Sequence, residues 1–304
     1  MSRWKEAHVD LRGLRACFVV NMNGFNMSNW TLEETESIWT RSVKYTDLLS
    51  PVPLVALLRV RNEALILEDT LNHLAGFADA ICAYDDASTD TTLEILKGHE
   101  KVFLIVQNTE WQPEVESRLL SETRHRGLLL QEAKRRIAFD WCMCCDADER
   151  YVGPIRQFVV DRALDKPDAI RIQLFDAYMT EGDDHPYPGR TSLTNFRRLF
   201  GPERRDILML WKNSDSVHYT GLDAREPVVQ GRAESRFFCQ HYGKSLSYEH
   251  WEATCEYYIS HFPFDSYGKK WSERRGKALH SRSDFDSPLF EWGDDLFGNA
   301  VRIY

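Results

Sequence analysis

Asp146, Asp148 and Glu149 follow directly on an apolar run, Trp141-Cys142-Met143-Cys144-Cys145. A short run of this kind reads as a buried strand. Carboxylates placed where such a strand ends stand at the lip of a sheet, where open α/β folds bind their ligands. Two carboxylates one residue apart can share a hard cation and still leave it open faces for phosphate oxygens. The chemistry suggested is metal-assisted binding of a nucleotide or phosphate. The competing reading is a solvated acidic loop or helix cap, because Asp-x-Asp triplets suit turns as well.

Two further polar clusters bear on that choice. Arg61-Asn62-Glu63 follows the apolar run Leu54 to Leu58, and Asp85-Asp86-Ala87-Ser88-Thr89-Asp90 follows the run from Ala80 to Tyr84. Between them, Leu67, Leu71 and Leu74 have helical spacing, in a helix expected to start near Asn62. Leu93 and Leu96 mark a second helix, capped by Ser88 or Asp90. Val102 to Val106 reads as a third strand, and Val115 to Ile137 as a long helix leading into the Trp141 strand. Strands alternating with helices predict a largely parallel, twisted α/β sheet. Right-handed crossovers then bring all three polar clusters to one edge. Neither GxxxxGK[ST] nor GxGxxG follows the first strand, so nucleotide phosphates would need a metal and side chains rather than a loop of amides.

The bulk properties narrow the options. The 304 residues are 43% hydrophobic, 28% charged and 12% aromatic, with a net charge of −9. That charge argues against broad binding to nucleic acid or anionic membranes. The seven cysteines show no framework spacing, and Cys142, Cys144 and Cys145 lie within the presumed strand, which suits a reducing compartment. The first residues lack the apolar core of a signal peptide, and no run of about 18 apolar residues could span a bilayer. The expectation is a cytoplasmic protein, at most peripherally associated with membranes.

Past residue 150 the pattern weakens. Ile170 to Phe175, Phe196 to Phe200, Val217 to Tyr219 and Phe237 to Tyr242 are short strand candidates, and Ser247 to Phe262 has helical spacing. Lys269, Lys270, Arg274, Arg275 and Lys277 form a basic run, read as a solvated helix face or, alternatively, as a surface toward a phosphate-bearing substrate.

Taken together, the three clusters resemble those of the family 2 glycosyltransferases, which have the GT-A fold. The matching stretches are Arg61-Asn62-Glu63, Asp85-Asp86-Ala87-Ser88-Thr89-Asp90-Thr91 and Asp146-Ala147-Asp148-Glu149, in that order. The likeness covers roughly residues 51–155. It implies a Rossmann-like, mostly parallel sheet flanked by helices, with a smaller mixed sheet and C-terminal helices. The implied organisation is an N-terminal extension (1–50), a nucleotide-sugar half (51–155), an acceptor-side half (156–245) and a helical extension (246–304).

The resemblance also implies roles. Asp86 contacts the base, with Asp85, Arg61 and Glu63 nearby. Asp146 lies near ribose and metal, and Asp148 ligates Mn²⁺ or Mg²⁺ bridging the diphosphate of a nucleotide-diphospho-sugar. Arg126 matches a basic position facing the donor, or else is a surface helix residue. His241, in His241-Tyr242-Gly243, would complete the metal shell, or else is a core histidine beside Phe237 and Phe238. An acceptor hydroxyl, on a saccharide or glycan precursor, would then attack the anomeric carbon with inversion. Related chains carry Glu directly after a late His. Here Tyr219 follows His218, so the base falls to Asp223, with Asp183, Asp184 and Glu226 behind it. A sugar nucleotidyltransferase and a non-catalytic carbohydrate-binding protein of the same fold are the alternatives. The nucleotidyltransferase would ordinarily want a Gly-rich basic loop after the first strand, which Arg59-Val60-Arg61-Asn62-Glu63 is not.

Overall fold

A computed structural model describes residues 30–42, 50–161, 165–183 and 185–303. The first half contains β1 (Glu36–Thr40), β2 (Val52–Val60), α1 (Leu67–Ala75), β3 (Ala80–Asp86), α2 (Thr92–Gly98), β4 (Val102–Asn108), α3 (Val115–Arg136) and β5 (Phe139–Cys145). The second contains β6 (Glu149–Val152), α4 (Ile155–Val160), β7 (Ala169–Tyr178), β8 (Leu199–Lys212), β9 (Ala233–His241) and α5 (Tyr248–His261). A π-helical turn (Phe264–Gly268), α6 (Lys269–Arg274), β10 (Phe290–Glu291), α7 (Asp294–Gly298) and β11 (Val301–Arg302) complete the order.

Among the described residues the strands join in one sheet, ordered β1-β4-β3-β2-β5-β8-β7-β9-β6, with β10 and β11 also paired to β8. Strands β4, β3, β2 and β5 run parallel, as the strand–helix alternation requires. Beyond β5 the sheet becomes mixed: β8 is antiparallel to both β5 and β7, while β9 is parallel to β7 and antiparallel to β6. The expected α/β class, the parallel half and the C-terminal helices are all present. The smaller mixed sheet is continuous with the parallel one through the β5–β8 pair.

Both faces of the parallel half are covered, which is why its strands read as unbroken apolar runs. On β2 the period of two divides the side chains between two cores. Leu54, Ala56, Leu58 and Val60 pack with Leu67, Leu71 and Leu74 of α1. Val55 and Leu57 face the opposite way, into the cluster holding Leu128, Leu129 and Ala133 of α3. Met179, Trp251, Cys255 and Ala278 form a third cluster that seats α5.

Register then fixes the functional edge. Val60 pairs with Asp85, Asp86 with Asn108, and Leu58 with Cys145, so Arg61, Asp86 and Asp146 leave the sheet side by side. In the mixed half, His241 stands opposite Glu149 on one side and Asp176 on the other. The acidic segment after β5 is thereby folded back against the end of β9.

Several local expectations shift. The first helix starts at Leu67 rather than near Asn62. Asn62 takes a left-handed conformation (φ 54°), and its side-chain oxygen accepts from the Thr89 amide at 2.7 Å, so it serves the loop between strand ends. The strand sought at Phe196–Phe200 is instead β8, extending to Lys212. Glu203, Arg204, Arg205 and Asp206 break its apolar pattern. Val217 to Tyr219 is loop, with one bridge from His218 to Val228; these side chains are apolar because they pack into the α3-side core.

One hydroxyl ties α1 to the acidic segment. Thr70 donates to the Ala147 carbonyl at 2.6 Å and accepts from Arg150 at 3.1 Å, fully buried. Thr70→Val keeps the volume and removes both bonds. It is expected to cost about 1–3 kcal/mol of stability, read from the urea unfolding midpoint.

Candidate functional site

Burying carboxylates at the edge of a sheet demands cations beside them. Asp146 accepts from Arg126 at 2.7 Å through one oxygen, while Arg225 ion-pairs with the other. Against the cost of burial, these two guanidinium groups hold the Asp146 carboxyl well below its ordinary value. Arg225 also donates to Glu149 at 2.7 Å. Glu149 is fully buried and accepts from Tyr151 at 2.6 Å, so it is a structural member of the Asp146–Glu149 segment. Arg126 is not a surface residue: it is 4% exposed, and α3 aims it at the end of β5.

Asp148 points the other way, toward the second half of the sheet. Its Oδ2 lies 3.3 Å from Nε2 of His241, and Nδ1 of the same ring lies 2.6 Å from Asp176 Oδ1. Burial opposes protonation of this imidazole, yet Asp148 and Asp176 together raise it to about 9. Neither side of the Asp148–His241 pair is sealed, at 25% and 17% exposure. A Cβ at Gly243 would stand 2.6 Å from Asp148 Oδ2 and 3.0 Å from the His241 ring, so the cradle requires glycine there.

A divalent cation fits this donor set. A hard carboxylate oxygen and an imidazole nitrogen suit Mn²⁺ or Mg²⁺. Their separation is near the ~3 Å expected of neighbouring ligands with bonds of about 2.1 Å. Asp176 on Nδ1 is the carboxylate that orients metal-binding histidines, leaving Nε2 for the ion. Among the described residues no cluster of three or more His, Cys, Asp or Glu side chains forms a metal cage. The two-donor edge suits an ion whose remaining ligands come from a substrate and water.

The β2 and β3 ends are built differently. Asp86 is fully buried and ion-paired at 3.0 Å with Arg59 and 2.8 Å with Arg118. Against the cost of burial, His125, Arg59 and Arg118 hold its carboxyl down at about 2. Asp85, also buried, accepts from Ser88, while burial raises its carboxyl. Arg61 donates to the carbonyls of Asp86 (2.7 Å) and Ala87 (2.6 Å), and lies 4.3 Å over the Trp111 ring. Glu63 lines the same edge. Burial, then the charges of Asp148 and Asp146, raise its carboxyl to about 8.

The candidate bases separate. Asp223 is left-handed (φ 53°), accepts from the Tyr267 hydroxyl at 2.5 Å, and has its amide on Leu119 of α3. Its carboxyl is raised, first by burial, and Glu122, Arg59 and Arg126 lie in its electrostatic reach. Asp183 instead accepts from the amide and hydroxyl of Thr180, at 2.8 and 3.2 Å. Asp184 lies outside the described residues. Glu226 pairs with Arg171. Tyr219, where a glutamate was expected, is 1% exposed and packs at an angle to Trp211. Its side chain belongs to the core, not to the edge.

Sequence reading missed Asp176, Arg225, Arg59, Arg118 and His250. His250, in the first turn of α5, has a buried Nδ1 without a partner, and Asp148 acts on it electrostatically. Arg59 and Arg225 stand beside residues that the motifs already mark, and Arg118 and His250 lie on expected helices; their partners become visible once register is known.

No family model and no curated protein matches this chain. Among solved structures it is similar to glucosyl-3-phosphoglycerate synthase from Mycobacterium tuberculosis in complex with phosphoglyceric acid, at 16% identity and TM-score 0.24 over 41% of this chain and 43% of that one. The same enzyme with Mn²⁺, uridine diphosphate and glucosyl-3-phosphoglycerate matches at 14% identity and TM-score 0.24, over 43% and 46% of the two chains. HddC from Yersinia pseudotuberculosis matches at 10% identity and TM-score 0.34, over 67% of this chain and 98% of that one. The chain thus spans less than half the length of the synthase. Likenesses of this size assign no activity.

The Asp86 network gives a pH test. Its folded-state pKa of about 2 lies below the ordinary 3.8, so its stabilisation is present above pH ~4 and lost as pH falls through about 2. The stability gap between wild type and Asp86→Asn is expected to be about 2 kcal/mol near neutrality and to shrink across that window, measured by denaturant titration at several pH values.

Proposed function

We propose that this chain is a metal-dependent glycosyltransferase of GT-A architecture, moving a sugar from a nucleotide-diphospho-sugar to an acceptor hydroxyl with inversion. The observation that carries this reading is the line Asp148–His241–Asp176, a two-donor cation edge set beside the Arg126–Asp146–Arg225 clamp. On this reading residues 51–155 bind the donor and 156–245 the acceptor, while 246–304 form a helical extension; residues 1–29 and 43–49 of the 1–50 extension lie outside the described residues.

Asp148 and His241 would hold Mn²⁺ or Mg²⁺, with Asp146 on its ribose side. When bound, the ion supplies Lewis-acid neutralisation of charge on the leaving nucleoside diphosphate. Arg61 and Glu63, with Asp85 and Asp86 beneath them, shape the base end of the donor site. Asp86 acts there through Arg59 and Arg118, because both ion pairs occupy its carboxylate. Arg126 fixes the orientation of Asp146. Asp223 is the favoured base: burial raises its carboxyl toward the range useful for accepting a hydroxyl proton, and Tyr267 fixes its position. Asp183, and Asp184 beside it, are the second choice.

The test is a panel of nucleotide-sugars with Mn²⁺, followed by thermal shift and by slow hydrolysis to free nucleoside diphosphate. Asp148→Ala is expected to abolish the metal-dependent shift and lower hydrolysis by at least about 100-fold. Asp223→Asn is expected to keep the shift and lower kcat for transfer by about 100-fold or more. Pyrophosphate release from a nucleoside triphosphate would favour a nucleotidyltransferase instead. A protein that binds no nucleotide under any condition would end both readings.

A further inference from the structure

Lys244 leaves β9 one residue after Gly243, and its ammonium sits between two carboxylates, Asp176 at 2.8 Å and Asp284 at 2.5 Å. Asp176 is the group that holds Nδ1 of His241, so this lysine is one side chain removed from the cation edge. Arg274 of α6 reaches Asp284 at 2.6 Å, and Arg205 of β8 ion-pairs with Asp176. The Tyr178 ring lies 5.0 Å beneath Lys244, and His280 is 3.8 Å from Asp284. Lys270, one turn before Arg274, is exposed and has no hydrogen bond or ion pair among the described residues.

The basic run 269–277 therefore divides. Arg275 pairs outward with Glu256 on α5, at 3.2 Å, whereas Arg274 reaches Asp284 and Lys270, four residues earlier on α6, shares its helix face. Three cations (Arg205, Lys244, Arg274) pair with two carboxylates (Asp176, Asp284), and Lys270 adds a fourth positive charge on that face. The positive excess acts on Lys270 itself: partial desolvation, then Arg274 and Lys244, bring its ammonium down to about 8. Unmatched positive charge in a chain of net charge −9 is a local feature, and an incoming anion would relieve it.

We propose that this cluster binds an anionic group, phosphate or carboxylate, carried by the acceptor, with Lys270 as its free donor and Lys244 and Arg274 supplying the field behind it. The assignment to an acceptor rests on the glycosyl-transfer reading; the anion site rests on the cluster alone. Charge-assisted contacts of this kind are short and directional, and Lys270 is the one donor here not already committed to a protein carboxylate.

Calorimetry on the full chain tests it with four probes: inorganic phosphate, glucose 6-phosphate, glucuronate and glucose. The anions are expected to bind and glucose is not; phosphates outranking glucuronate would identify a phosphate site, and the reverse order a carboxylate site. Lys270→Glu, on an exposed helix face, is expected to weaken anion binding about tenfold or more while leaving the Mn²⁺–nucleoside diphosphate affinity unchanged. Anions that bind no better than glucose, or equally well to Lys270→Glu, would overturn the proposal. Lys270-dependent anion binding without nucleotide binding would keep the anion site and remove the glycosyltransferase reading.

Discussion

The pairing of Asp146 with Arg126 and Arg225 is the constraint on which the edge of this sheet depends. It joins α3, the end of β5 and the loop before β9 through one carboxylate. Removing either arginine would leave partly buried negative charge poorly matched, which destabilises the edge. The same guanidinium of Arg225 holds Glu149, so the segment Asp146–Glu149 is locked at both ends. Asp148, between them, is left free to face His241.

That geometry is a consequence of register. Glu149, His241 and Asp176 stand in one row across three neighbouring strands, and a one-residue slip would turn His241 to the opposite face. Asp176 therefore serves three neighbours, the imidazole of His241, the ammonium of Lys244 and the guanidinium of Arg205. The cation edge and the basic cluster thus meet at a single carboxylate.

The parallel half was legible in the sequence because its strands are buried on both faces and its helices carry leucines at helical spacing. Apolar runs and polar run-ends then suffice to locate Arg61, Asp86, Asp146 and Asp148 at one edge. The mixed half was much less legible. Strand β8 carries Glu203, Arg204, Arg205 and Asp206 within its span; Arg205 pairs across the sheet with Asp176, while Arg204 pairs with Asp206 along the strand. Asp176 and Lys244 looked like ordinary charged residues, since their partners lie far away in sequence. Asp86 differed in another way: its motif suggested a ligand contact, while its ion pairs with Arg59 and Arg118 depend on side chains that motif spacing does not encode. Tyr219 was read as a missing base because it follows a histidine, whereas its environment is core.

The Asp148–His241 cation edge is probed most directly by pulsed electron paramagnetic resonance on the Mn²⁺-loaded protein with nucleoside diphosphate. A directly coordinated histidine nitrogen is expected in the wild type, a coupling lost in His241→Ala while phosphorus coupling from the diphosphate persists. Mn²⁺ bound with no histidine coupling, or with a coupling unchanged in His241→Ala, would contradict it.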